Sequence, residues 1–495
     1  MKTANDAAVA SSASQDARTA ALAIGLGLLA GVGAVAAASS ATAVLALSGA
    51  VAGAAGIAAL LVVMRGRLAD ALLLAAIAAM AVPLDKYFAF RDHVGGWPGL
   101  RLSASDLALL ALVPIAIVGV ATRRVHNALP RAVYFVYGLL LCQYTLSVLN
   151  ATERDLAFFE MMSAVHALAI AALIGLVFRR ELIRPFVVLV AVQVVVHTAF
   201  AVAQLATGRP VGAEWFTSAS IVPEALETGV VRLRPVGLFD HPIVFANVLS
   251  LSLPVLCAGL LMAGGRLWKM FVAATAAIAL VGLGLTLSRG AWFATAVALT
   301  TLLVLLRVGS LIGRRQLFRL VAVAGMTALI VGLPLAPRIW ERLTASDAGN
   351  LNVRFELNWI AVSMIETHPF VGVGLSNFIP VMHHFDPTNV MRRFPATVHN
   401  IYLLEGAEAG VPGMLLFIAL LLAVFLCGWR AWRRTADRAA RLLGAAILAG
   451  LAGFAFSQLA DFSHRLEPMR SMVWMNVGVL FAVLRAPRAL EHPHE

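Results

Sequence analysis

The chain has 495 residues, of which 61% are hydrophobic and 13% charged, with a formal net charge of +12. Soluble globular domains are about 45–50% apolar and about 25% charged, so an ordinary soluble enzyme is excluded and a membrane protein is expected. The basic balance reads as Lys and Arg kept in cytoplasmic loops beside anionic lipid. No basic stripe with interleaved aromatics marks a nucleic-acid partner, and none is expected.

In chain order, residues 1–18 are polar and small and lack the apolar core of a secretory signal in the right place, so they read as a cytoplasmic tail. Apolar runs follow at 19–38, 41–63, 69–83, 105–121, 132–149, 161–178 and 185–206. Further runs lie at 242–263, 270–287, 291–306, 319–336, 411–429, 439–457 and 470–484. A helix of about 20 residues crosses the hydrocarbon core, and a spanning segment must satisfy its own backbone hydrogen bonds. The expected fold is therefore all-α, a polytopic membrane protein with about 12–14 transmembrane helices. Cys142, Cys257 and Cys427 all fall inside apolar runs, which suits neither a disulfide framework nor a thiolate metal site.

With the N-terminus inside, each inner turn carries at least two positive charges, for example Arg123, Arg124 and Arg131, or Arg430, Arg433 and Arg434. The expected organisation is N-terminal spans over 19–206, spans with external arginine motifs over 207–336, a large periplasmic loop over 337–410, C-terminal spans over 411–485, and a cytoplasmic tail over 486–495. The outer side also receives 84–104, the segment before 242, and the short turn Ser288–Arg289–Gly290. Within the large loop, Asn350 to Glu366 reads as a helix, capped by Asp347 or Asn350 and ended by His368-Pro369. Phe355, Trp359, Val362 and Ile365 fall on or near one face, which fits a helix lying on the bilayer or one packed on the other loops.

Arg232, Arg234, Arg289 and Arg354 all lie in outer segments, against the positive-inside trend. One such arginine is ordinarily an interfacial anchor, but several on one side suit an anionic ligand, because a guanidinium grips phosphate oxygens in a fork. The loop histidines are His368, His383, His384 and His399. His399, just before a helix that enters the membrane, is best placed to take a proton from a hydroxyl near neutral pH. His383, His384 and Asp386 do not have a common zinc spacing, and no metal is expected. The glycines of HPFVGVGLSNF (368–378) lack the Lys and strand of a phosphate loop and read as a turn with close backbone packing. Inside the spans, His166, His197, Gln143, Gln193 and Gln204 are functional candidates. No series of Asp or Glu runs through the spans, which weakens an ion-coupled transporter.

LTLSRGAWFATAVAL, then RFELNWIAVSMIETHPFVGVGLSNF, then VHNIYLLEGAEAGVPGMLLFIALL, in this order and topology, resemble the superfamily of O-antigen ligases and Wzy-type O-antigen polymerases. The preceding RLRPVGLFDHPIVFANVLSLSLP is similar to the segment found there in that superfamily. The resemblance implies a metal-independent inverting glycosyltransferase in the bacterial inner membrane, active at the periplasmic face and without a cofactor. It implies an undecaprenyl-diphosphate-linked glycan as donor and a lipid A-core or glycan acceptor, within membrane lipid. By similarity His399 is the general base and Arg289 binds the diphosphate. Arg234 or Arg232 supplies a second grip, and Arg354 and His368 support. The reaction needs a base for the nucleophile and positive charge at the leaving diphosphate, which matches this set. Ligase is the first reading, polymerase the second and protein transferase the third. From another class, a small-anion transporter would use the same arginines for steering, but neither an inverted repeat nor interrupted helices are evident.

Overall fold

The computed structural model describes residues 67–91, 93, 95–122, 126–212, 223–225, 231–316, 318, 325, 348–393 and 395–485. The expected tails and the spans expected at 19–38 and 41–63 lie outside these residues, as does nearly all of that at 319–336. Every other expected span coincides with a helix. These are α1 (Leu68–Ala79), α2 (Ala104–Ala121), α3 (Arg131–Asn150), α4 (Arg154–Val177), α5 (Ile183–Thr207), α6 (Pro242–Leu261), α7 (Arg266–Leu285) and α8 (Arg289–Val308). After α9 (Ala348–Thr367) and the one-turn helices α10 (Phe378–Val381) and α11 (Val390–Arg393) come α12 (Ile401–Arg434), α13 (Arg438–Ser457) and α14 (Met469–Leu484). Among the described residues, two short antiparallel strand pairs interrupt the helices. Strands β1 (Asp85–Phe88) and β2 (Leu100–Ser103) form one, and β3 (Pro223–Ala225) and β4 (Val231–Leu233) the other.

Among the described residues, nine helices are long and apolar enough to cross a membrane, and α1 and α14 are shorter apolar helices. The protein is an all-α, multi-pass membrane protein. Burial separates inner from outer helices. Every residue of α14 is buried, and 83% of the apolar window of α6 is buried, against 28% for α2 and 33% for α3 and α7. An apolar residue left exposed on α2 or α7 would cost nothing against lipid. Inner helices approach closely through small residues: a Cβ on Gly478 of α14 would sit 2.7 Å from the carbonyl oxygen of Ala171 on α4.

Helix starts follow local chemistry. Ser103 and Asp106 form a capping box at α2. Asn400 caps α12, its Oδ1 accepting from Tyr402 N and Leu403 N at 3.0 and 3.2 Å. That helix begins at Ile401, ten residues before the expected span, and is kinked at Gly410 (φ 74°, ψ 174°), just before Pro412.

The stretch before the kink is held by charges that hydropathy does not show. The Arg465 guanidinium, 1% exposed, donates from Nε and Nη2 to Glu405 Oε1 at 3.0 and 2.8 Å. It also pairs through Nη1 with Glu160 at 3.1 Å and Glu408 at 3.0 Å. Arg470 pairs with Glu160 and donates to Ser163. Tyr144 O–H donates to the other Glu405 oxygen at 2.8 Å. Glu408 accepts from Ser376 N at 2.9 Å and Phe378 N at 3.2 Å. Breaking a buried ion pair by removing one partner costs about 3–5 kcal/mol, since the other charge stays buried. Arg465→Ala should therefore sharply lower the thermal unfolding midpoint of the purified protein and its level in membranes. A midpoint equal to wild type would contradict this role.

Candidate active site

The segment from Arg234 to His241 is fastened to α5 by two polar side chains. Gln204 Nε2 donates to the carbonyls of Val211 and Gly237, and its Oε1 accepts from Val236 N and Gly237 N at 2.9 and 3.2 Å. His197 Nδ1 accepts from Leu238 N at 3.2 Å, and its ring stacks on Phe239 with centroids 4.2 Å apart. Gly237 is left-handed (φ 64°), and a Cβ there would lie 3.1 Å from His197 Nδ1. Two of the intramembrane groups singled out in the sequence thus act as a clamp. Two others also bind backbone: Gln193 donates to Ile77 O at 3.0 Å, and Gln143 to Phe370 O and Ala409 O at 2.7 and 2.8 Å. His166 pairs with Asp106 at 2.7 Å.

Arg234 leaves this clamped segment and donates from Nε to the carbonyl of Thr286 at 3.0 Å. Thr286 ends α7, and Leu287, held at φ 51°, reverses the chain so that Arg289 is the first residue of α8. Arg234 is therefore tied to the turn that carries Arg289. At the other end of the segment His241 caps α6, its Nδ1 accepting from Ile243 N at 3.1 Å. Arg232 lies on β4, in register with Glu224 of β3.

His399 is held beside the segment 458–463. Ile401 N donates to the carbonyls of Gln458 and Asp461, at 3.0 Å each. The His399 ring stands edge-on to Phe462, centroids 5.3 Å apart. Asn247 of α6 donates to Asp461 Oδ2 and Ser463 Oγ, at 2.9 Å each. The helix capped by His241 and the segment bearing His399 thus share one anchor. Burial, reinforced by the positive charge of Arg354, lowers the His399 pKa to about 4. Burial, with Arg234 and then His399, lowers His241 to about 4 as well. Arg234, His241, Arg354 and His399 therefore share one electrostatic field, with Arg289 on the adjoining turn.

The other expected residues have different roles. His368 follows α9, its carbonyl accepting from Gly372 N at 3.1 Å and its ring edge-on to Phe385 at 6.3 Å. The rings of His383 and His384 lie 3.8 Å apart. Asp386 uses its oxygens on the backbone N–H groups of Thr388, Val390 and Met391 at the start of α11. The glycine-containing turn packs backbone to backbone against the kink of α12, where a Cβ on Gly372 would lie 2.2 Å from the Glu408 carbonyl carbon. Of the apolar face expected on α9, Phe355, Trp359 and Val362 are exposed. Ile365 instead packs over Gly406 of α12.

Residues 274–418, from α7 through Arg289, Arg354, His368 and His399 into α12, match the family model described as O-antigen ligase. This segment, less than a third of the chain, is similar to O-antigen ligases, in agreement with the motifs quoted from it. Among curated proteins none matches the chain. Arg232, Arg234 and His241 lie upstream of the O-antigen ligase match and join it only through the fold. His241 escaped the sequence reading, although Pro242 at the first helical position marks it as the cap.

A lowered imidazole pKa keeps the ring unprotonated down to lower pH. If His399 serves as the base of a transfer reaction, kcat/KM should hold as pH falls below 6.5 and be lost only near 4. A rate that halves near pH 6.5 would show that His399 titrates normally or is not the base.

Proposed function

We propose that the chain is an inverting glycosyltransferase of the bacterial inner membrane. It moves a glycan from undecaprenyl diphosphate to a hydroxyl of lipid A-core at the periplasmic face. The observation that carries this reading is the half-buried His399, its pKa lowered by burial and by Arg354, joined through the fold to Arg234 and the turn of Arg289. A catalytic base and fixed positive charge at a leaving group are the two elements this reaction needs.

In the proposed step the acceptor hydroxyl gives its proton to His399 while its oxygen attacks the anomeric carbon. The bond from that carbon to the diphosphate oxygen breaks from the opposite face, so the configuration inverts. The electron pair leaves with the diphosphate, and Arg289 and Arg234 hold the charge, with Arg232 a further grip from β4. An anion bound among these groups raises the proton affinity of His399 from its depressed value, because an opposite charge favours the protonated ring. Donor binding would thereby bring the base into a useful range. Burial, and then Arg354, keep the base neutral before the donor arrives, and His368 holds the turn after α9. The donor carries its own leaving group, so the reading calls for no cofactor and no metal.

A Wzy-type polymerase would run the same step with the end of a second lipid-linked glycan as acceptor. The glycan profile of a deletion strain tests and divides these readings. A ligase predicts long chains accumulating on the polyprenyl carrier with bare lipid A-core. A polymerase predicts single repeat units on the carrier. Unaltered surface polysaccharide and carrier-linked intermediates would overturn both.

A further inference from the structure

The mechanism above leaves His241 unused, although Arg234 and His399 both act on it electrostatically. Its surroundings determine its hydrogen-bonding role. A backbone N–H can only donate, so the bond from Ile243 N to His241 Nδ1 requires that nitrogen to be unprotonated. The proton of the neutral ring is then on Nε2, at the far edge from the helix it caps. Protonating Nδ1 would break the cap and add a cation beside Arg234. The ring thus has one tautomer and one available function, that of a neutral donor. Its position is equally constrained, because the preceding residues are bonded to Gln204 and His197 and the following helix is tied through Asn247 to Asp461 and Ser463.

We propose that His241 is a diphosphate-binding residue that donates its Nε2–H to an oxygen of the prenyl diphosphate bound at Arg234 and Arg289. The proposal rests on the glycosyltransferase reading and adds to it a donor outside the matched family segment. A neutral imidazole at a helix N-terminus can polarise an oxygen without titrating. It supplies direction where the guanidiniums supply charge. It stabilises the departing diphosphate without adding another full charge to the product complex.

Capping and ligand binding can be separated, because Asn is among the best N-cap residues. His241→Asn keeps the cap but commits its short side chain to it, away from the ligand. His241→Ala removes both. The probe is farnesyl diphosphate, titrated into the full chain in phosphatidylcholine nanodiscs at neutral pH. Wild type is expected to bind it. His241→Asn is expected to retain the wild-type unfolding midpoint and bind about 10–100-fold more weakly, the loss of one hydrogen bond to a charged group. Wild-type affinity in a stable His241→Asn protein overturns the proposal and leaves His241 a helix cap. Absence of farnesyl diphosphate binding to wild type removes the diphosphate reading itself and the proposal with it. If His241→Asn does not fold, the wild type decides through the 15N resonance of His241 Nε2. A shift on adding farnesyl diphosphate supports the contact, and an unmoved resonance overturns it.

Discussion

The Arg465 guanidinium, buried against Glu160, Glu405 and Glu408, is the constraint on which the rest of the arrangement depends. Each of these charges loses its hydration in the folded protein, and only close opposite charge and hydrogen bonds offset that loss. The set therefore admits few geometries. Its members come from α4, from the first turns of α12, and from the turn before α14, so one cluster places three parts of the chain together. Glu408 extends this order to the turn at Ser376 and Phe378. Tyr144 extends it to α3. The helix so positioned begins at Ile401, two residues after His399.

A second, uncharged set does for the arginines what this cluster does for the histidine. Gln204 and His197 convert the chain between α5 and α6 from a free connection into a defined path. Arg234 then reaches the turn of Arg289, and His241 comes to lie where Arg234 and His399 both act on it. The chemical character of the site follows. Imidazoles held among guanidiniums and away from water stay neutral, and the neutral form is the one able to accept a proton from an acceptor or donate to an oxyanion. Positive charge remains with the arginines, which do not titrate.

The spans were legible because an apolar run long enough to cross a bilayer has few other uses, and hydropathy is a local property. Arg232, Arg234, Arg289 and Arg354 stood out in the sequence as arginines of expected outer segments that the positive-inside trend does not explain, and His399 as a histidine just before an apolar helix. The buried cluster was not. EGAEAG reads as a polar loop until the partners of its carboxylates are known, and Arg465 is 60 residues from Glu405. Arg470 is 310 residues from Glu160. Such compensation is a property of the fold and leaves no local pattern. For the same reason α12 starts before its expected span, since its first turns carry charges that only those distant arginines neutralise. Gln143, Gln204 and His197 were rightly singled out as unusual in a span. Their partners are mainly backbone groups of other segments, so they work as fasteners.

The most direct test of the account is transfer by the purified chain in liposomes supplied with a polyprenyl-diphosphate-linked glycan and lipid A-core, read as released polyprenyl diphosphate. Release by wild type, lost by about 100-fold or more in a folded His399→Ala protein, is the predicted result for removal of a general base. Release that continues at the wild-type rate without His399 would contradict the central claim that this imidazole activates the acceptor.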